Sequence, residues 1–109
     1  MLDKSVIERL EKIVGAENVM TKKADLIAYS YDATADVQKS MPDIVVLPSS
    51  AAEIQQVMKL ANETDTPIYT RGSGTNLSGG CIPLKQGIVL CTQKMNKILE
   101  IDPDNLTAT

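Results

Sequence analysis

Histidine, tryptophan and phenylalanine are absent from these 109 residues, and three tyrosines are the only aromatics. Without histidine the commonest general base at neutral pH is missing. No Ser-His-Asp or Cys-His arrangement can therefore be assembled from this chain alone. The two cysteines, Cys81 and Cys91, stand ten apart with no CxxC spacing, so no zinc-ligand pattern exists. Both read as small buried apolar residues of a reducing, cytoplasmic setting. No apolar run approaches the ~20 residues of a membrane span. The opening Met1-Leu2-Asp3-Lys4 runs into a charged helical pattern, so no signal peptide is expected. Excess positive charge is lacking too: net charge is −3 and the pI about 4.8. That argues against nucleic acid or an acidic membrane as partner. The lysines that are present, such as Lys22, Lys23, Lys85, Lys94 and Lys97, are scattered.

What is present is 43% hydrophobic residues, which places the core on Ile, Leu, Val, Met and Ala. The length fits one small domain or a piece of one, with a thin stability margin. Four of the six glycines fall within nine residues, in Thr70-Arg71-Gly72-Ser73-Gly74-Thr75-Asn76-Leu77-Ser78-Gly79-Gly80. Such a segment can take φ > 0 and bring bare backbone close to a ligand. Consecutive N–H groups turned inward make an anion-binding concavity. Hydroxyl and amide side chains add donors, and Arg71 adds a planar cation suited to phosphate or carboxylate. Two familiar phosphate loops are excluded. Leu77 stands where a dinucleotide fingerprint needs its third glycine, and no Gly-Lys-Ser/Thr follows as a Walker loop requires.

In chain order, Ser5 and Glu8 form a capping-box pattern, and Val6, Ile7, Leu10, Ile13 and Val14 keep helical spacing up to Gly15. This predicts a helix over 5–14. Residues 18–20 read as a connector, 21–31 as a second, shorter helix, and 33–42 as an exposed loop. The run Asp43-Ile44-Val45-Val46-Leu47-Pro48 predicts a strand buried on both faces, as in a parallel sheet. Ser50 and Glu53 repeat the capping box. Ile54, Val57, Met58 and Ala61 then give the stripe of a sheet-covering helix, with Leu60 beside it. Pro67 leads into a strand at 68–70, which makes a βαβ unit with the glycine-rich segment at its carboxyl end. Further strands are expected at 88–92, 98–101 and from 106, with turn chemistry at Asp102-Pro103-Asp104-Asn105. Met58 and Met95 read as packing residues, and Asp32 and Asp36 as solvated loop residues.

Pro42 to Pro48, the following helix, Arg71 to Gly80, and Met95-Asn96-Lys97-Ile98-Leu99-Glu100-Ile101-Asp102 through Ala108 occur in an order that carries a resemblance. Together they resemble the start of the PCMH-type FAD-binding domain of the vanillyl-alcohol oxidase/p-cresol methylhydroxylase flavoproteins. The similarity is strongest towards glycolate oxidase flavin subunits and D-lactate dehydrogenases. The resemblance implies an α+β fold, the first of two subdomains with FAD between them. It divides the chain into N-terminal helices and loop (1–41) and the subdomain itself (42–109). It implies cofactor contacts from Pro48, Thr70, Arg71, Gly72, Ser73, Gly74, Thr75, Asn76, Leu77, Ser78, Gly79 and Gly80. The backbone of Arg71 to Ser78 would hold the diphosphate. It also implies oxidation of a small 2-hydroxy acid to the 2-oxo acid. Members run to several hundred residues, and their substrate-binding and proton-abstracting residues lie in parts this chain lacks. No catalytic residue and no metal ligand is therefore assigned.

Two expectations follow from the chain's brevity. The piece alone should hold FAD weakly, because half the enclosure is missing. It should also self-associate through its last strand and its bare apolar surface. The competing reading is a free-standing, non-catalytic α/β module that binds a phosphorylated ligand or a protein partner.

Overall fold

The computed structural model describes residues 2–35 and 39–109, so Asp36 lies outside the described residues. The order is α1 (Lys4–Val14), β1 (Val19–Met20), α2 (Lys23–Leu26), β2 (Ile44–Val46), α3 (Ala51–Glu63), β3 (Ile68–Arg71), β4 (Ile88–Cys91), β5 (Ile101–Asp102) and β6 (Thr107–Ala108). Single 3₁₀ turns at Ala16–Asn18 and Ile27–Tyr29 adjoin α1 and α2. The fold is α+β: helices on a four-stranded mixed sheet, with a separate two-stranded hairpin at the end.

The sheet runs β1-β2-β4-β3, with β2, β4 and β3 parallel and β1 antiparallel to β2. The strand-helix-strand unit read from the sequence is therefore split, because β4 lies between β2 and β3. Its composition explains the position. Every residue of Ile88–Cys91 is buried, so this strand takes the centre, while the more polar Ile-Tyr-Thr-Arg of β3 takes an edge. The other edge is β1, only two residues long, where the sequence reading had a connector. A two-residue strand is too short to leave a period of its own.

Alternation sorts the strand residues to two faces. Ile44, Val46, Ile88 and Leu90 pack with Val6, Leu10 and Val14 of α1 and with Val57 and Leu60 of α3. Val45, Leu47, Val89 and Cys91 face Leu26, Met20, Tyr29, Met41 and Tyr69. Both cysteines are free thiols and buried.

The helix starts differ. Ser50 Oγ accepts the Glu53 N–H at 3.2 Å, and Glu53 Oε2 accepts the Ser49 N–H at 2.6 Å, so the second capping box forms one residue looser than expected. The first does not form: α1 begins earlier, with Asp3 at the N-cap and Ser5 inside the helix. Gly15 ends that helix at φ +92°. The second helix is shorter than 21–31, and only Leu26 of α2 is buried; Ile27 and Tyr31 face solvent. On α3 the buried stripe is Val57, Leu60 and Ala61, whereas Met58 is exposed.

The strand expected at 98–101 shrinks to β5, which pairs with β6 and not with the main sheet. Asp102 accepts the N–H groups of Asp104 and Asn105, each at 3.1 Å, and closes the turn. Ile98, Leu99, Ile101 and Leu106 are all exposed. The radius of gyration, 14.9 Å, exceeds the ~13 Å of a compact domain this long. A solvent-facing hairpin accounts for the sign of that excess. Among the described residues no helix is long and apolar enough to cross a membrane.

Candidate functional site

The parallel register brings three strand ends to one edge of the sheet. Val46 and Thr70 are both level with Leu90, so two residues on, Pro48 and Gly72 flank Thr92. With strands about 4.8 Å apart, Pro48 and Gly72 stand roughly 10 Å from each other across that end. Pro48 is fully buried. Thr92 lies between them and was not singled out in the sequence. Its N–H donates to the Arg71 carbonyl at 2.9 Å, and its hydroxyl approaches the same oxygen at 3.5 Å. These contacts extend the ladder one step and fix where the loop departs.

The loop leaves β3 at its carboxyl end, where ligands bind in open α/β sheets. Residues 72, 73, 75–78 and 80 are exposed. Among the described residues, the amides of residues 72–78 and of Gly80 meet no protein acceptor within hydrogen-bond reach. The Gly79 amide differs: it donates to Thr34 Oγ1 at 2.9 Å.

The glycines divide by what surrounds them. Gly74 has φ +74°, and a Cβ there would overlap the Arg71 guanidinium, so this glycine serves the bend itself. Gly72 and Gly80 have no such reason. Neither has positive φ, and nothing lies within 4 Å of where a Cβ would stand. The protein around them would admit a methyl group, so the room they keep open faces outward.

Arg71 departs from the role its charge suggests. Its Nη1 donates to the Tyr31 carbonyl at 2.6 Å and lies 3.8 Å from Cys81 Sγ, and its guanidinium carbon sits 5.4 Å from the centre of the Tyr29 ring. The cation is committed to the protein. Burial is the main reason the Tyr29 phenol titrates above its ordinary range; the negative charge Cys91 can carry adds to this and Arg71 opposes it. The group that the loop turns outward is thus its main chain.

Residues 31–35 depart from the sequence reading, which puts Tyr31 at the end of a helix and Asp32 and 33–42 in solvated loop. Asp32 Oδ2 accepts the Asn76 side-chain amide at 2.6 Å, and Asp32 Oδ1 accepts the Thr34 N–H at 2.8 Å. Cys81 Sγ donates to Asn76 Oδ1 at 3.2 Å. Hydrogen bonds from Thr34 first, and also from Asn76 and Gly79, hold the Asp32 carboxyl below its usual range. Asp32 therefore ties the loop down as well as facing water. Its Asx turn with Thr34 is a local signal visible in the sequence. Its partner 44 residues away is not.

A cleft of about 470 Å³ opens beside the start of α3, lined by Ser49, Ser50, Lys94, Met95, Lys97 and Leu99 among others. Lys94 reaches away from it to Asn18 Oδ1.

Comparison with known proteins agrees with this geometry. Residues 42–109 match the family model described as "FAD binding domain". The whole chain is 48% identical to glycolate oxidase subunit GlcD of Bacillus subtilis, of which it covers 23%. It is 43% identical over 84 residues, 74% of this chain, to a D-lactate dehydrogenase of Archaeoglobus fulgidus, and covers 19% of that protein. Among solved structures, p-cresol methylhydroxylase with substrate bound superposes at a TM-score of 0.80 with 28% identity, over 92% of this chain and 20% of that one. An alkyldihydroxyacetonephosphate synthase reaches 0.85 at 23% identity, over 99% and 22%, which shows the fold alone. The chain thus spans about a quarter of these relatives or less. The family model names FAD, and an exposed loop of main-chain amides is the kind of backbone that can receive phosphate groups. On the family match over 68 of its 109 residues, together with this fold and this loop, the chain belongs to the FAD-binding domain family.

Proposed function

We propose that this chain holds the diphosphate of FAD for an oxidoreductase that converts a small 2-hydroxy acid, of glycolate or D-lactate type, to the 2-oxo acid. The observation that carries the reading is the exposed row of main-chain N–H groups at residues 72–78, which have no acceptor among the described residues. Main-chain dipoles fixed in advance stabilise phosphate charge without reorganising. Pro48, Thr70 and the backbone from Arg71 to Ser78, with Gly79 and Gly80, are the contacts proposed. Their work is to bind, to orient and to exclude water at the strand ends. Bound FAD would supply the redox chemistry, accepting a hydride equivalent, two electrons and one proton, from the 2-hydroxy acid, whose hydroxyl proton would leave to a base outside this chain. The names of the glycolate oxidase subunit and D-lactate dehydrogenase relatives support this substrate class.

The test uses the protein encoded by the complete reading frame. Titration with FAD, followed by quenching of flavin fluorescence, should show tight binding. Anaerobic addition of glycolate or D-lactate should bleach the bound flavin. Gly72→Val should weaken FAD binding by at least about tenfold, because branched carbons would fill the space against the phosphates. Undiminished FAD affinity in that variant would sink the diphosphate assignment. Flavin that no 2-hydroxy acid reduces would sink the substrate class while leaving the cofactor site intact.

A further inference from the structure

The amides proposed to meet the diphosphate lie on an exposed loop, and little apolar burial fixes its shape. Its hold comes from three contacts with one short turn about 40 residues earlier in the chain. The Tyr31 carbonyl accepts from Arg71 Nη1 at 2.6 Å, Asp32 Oδ2 accepts from Asn76 Nδ2 at 2.6 Å, and Thr34 Oγ1 accepts from the Gly79 N–H at 2.9 Å. These three contacts grip the loop at its start, middle and end. The turn lies outside the segment that the family model matches, which begins at residue 42.

We propose that Asp32 and Thr34 are positioning residues that set the glycine loop in its receiving shape before any ligand arrives. This rests on the diphosphate reading above for its purpose, and on the hydrogen bonds alone for its mechanics. Asp32 carries a negative charge that its hydrogen bonds keep ionised, so its part is to fix the loop and not to meet a phosphate. Its oxygens are occupied by Asn76 Nδ2 and the Thr34 N–H, with the Cys81 thiol 3.9 Å away. Among the described residues, Thr34 accepts the one loop amide, that of Gly79, that finds a protein partner. The remaining amides are left for a ligand. A preorganised loop loses less conformational entropy on binding, and affinity rises accordingly.

Hydrogen exchange of the loop amides in the 109-residue chain, without FAD, reads the mechanics directly. Thr34→Val removes the acceptor while keeping the shape, Thr34→Ser keeps the acceptor, and Asp32→Ala releases Asn76. Exchange of the Gly79 amide, which donates to Thr34 Oγ1, should quicken by about fivefold or more in Thr34→Val, which is the scale of one lost hydrogen bond, and also in Asp32→Ala, which frees the Thr34 N–H from its carboxylate. It should stay at the wild-type rate in Thr34→Ser, and the strand amides of β4 should be unaffected in all three. Unchanged loop exchange in Thr34→Val and Asp32→Ala would overturn the proposal, whatever FAD does. The same substitutions in the complete protein should then weaken FAD binding. If loop exchange quickens while FAD affinity holds, the brace stands and the diphosphate reading falls. If Thr34→Ser loosens the loop as much as Thr34→Val, the hydroxyl is not the holding group and the proposal fails.

Discussion

In β4, all four residues from Ile88 to Cys91 are exposed by 1% or less, whereas of residues 72–80 only Gly74 and Gly79 are even partly covered. The strand and the loop are near neighbours, joined by the hydrogen bonds of Thr92 to the Arg71 carbonyl. The strand is held by area: apolar side chains packed on both faces, non-directional and tolerant of similar shapes. The loop is held by a few directional bonds that it donates to acceptors on Tyr31, Asp32 and Thr34. Area stabilises the fold whatever the fold is for. Among the described residues, the loop's bonds leave most of its amides facing solvent, where a ligand can reach them.

The largest effect should come from the strand. Leu90→Ala removes a side chain with 1% exposure from the face that α1 and α3 cover. It should cost about 2–5 kcal/mol, read as a lowered midpoint in urea unfolding. A loss under about 1 kcal/mol would mean the core relaxes far more than its packing implies.

Next come the glycines, which place the contrast within one residue type. Gly87, at φ +80°, has the Pro67 carbonyl oxygen where a Cβ would stand, and its N–H donates to Asp43 Oδ2 at 2.9 Å. Gly87→Ala should destabilise by about 2 kcal/mol or more, through left-handed backbone and overlap together. Gly72→Ala meets nothing within 4 Å, so it should stay within about 0.5 kcal/mol of wild type in thermal or urea unfolding. Equal losses in the two variants would erase the distinction between a glycine the fold needs and one the ligand needs.

The smallest effect is in acid. Hydrogen bonding lowers the Asp32 carboxyl below the ordinary 3.8, so the folded state holds its proton less tightly than the unfolded chain. The stability this contributes is present above that value and is lost as pH falls through the lowered one. Asp102, bonded chiefly by the Asn105 side chain, behaves the same way. Asp32→Asn should therefore flatten the acid side of the stability profile from pH ~4 downward, compared with wild type. An unaltered acid limb would place Asp32 outside the loop's hold.

Much of this was legible in order of residues, because the causes were local. The period of Val6, Leu10 and Val14, the branched run at 44–46 and the Ser50–Glu53 cap each act within a few positions. The glycine cluster announced an amide-rich loop for the same reason. Where the first cap failed, local competition decided: Asp3 began the helix a turn-fraction earlier and left Ser5 inside it. The hairpin strand at 101–102 was overdrawn because apolar residues at 98–101 looked like core, yet Ile98, Leu99 and Ile101 found no cover within this chain.

The sequence by itself determined that four consecutive apolar residues would be buried strand, that glycine-rich backbone would follow β3, and that no histidine chemistry was available. Only the tertiary structure decided that β4 would part β2 from β3, that Arg71 would turn inward to the Tyr31 carbonyl, and that Asp32 and Thr34 would grip a loop some 44 residues on. The reason is range. Propensity, periodicity and capping act over a handful of residues and are written where they act, whereas a hydrogen bond between distant residues exists only once the packing of the sheet has brought them together.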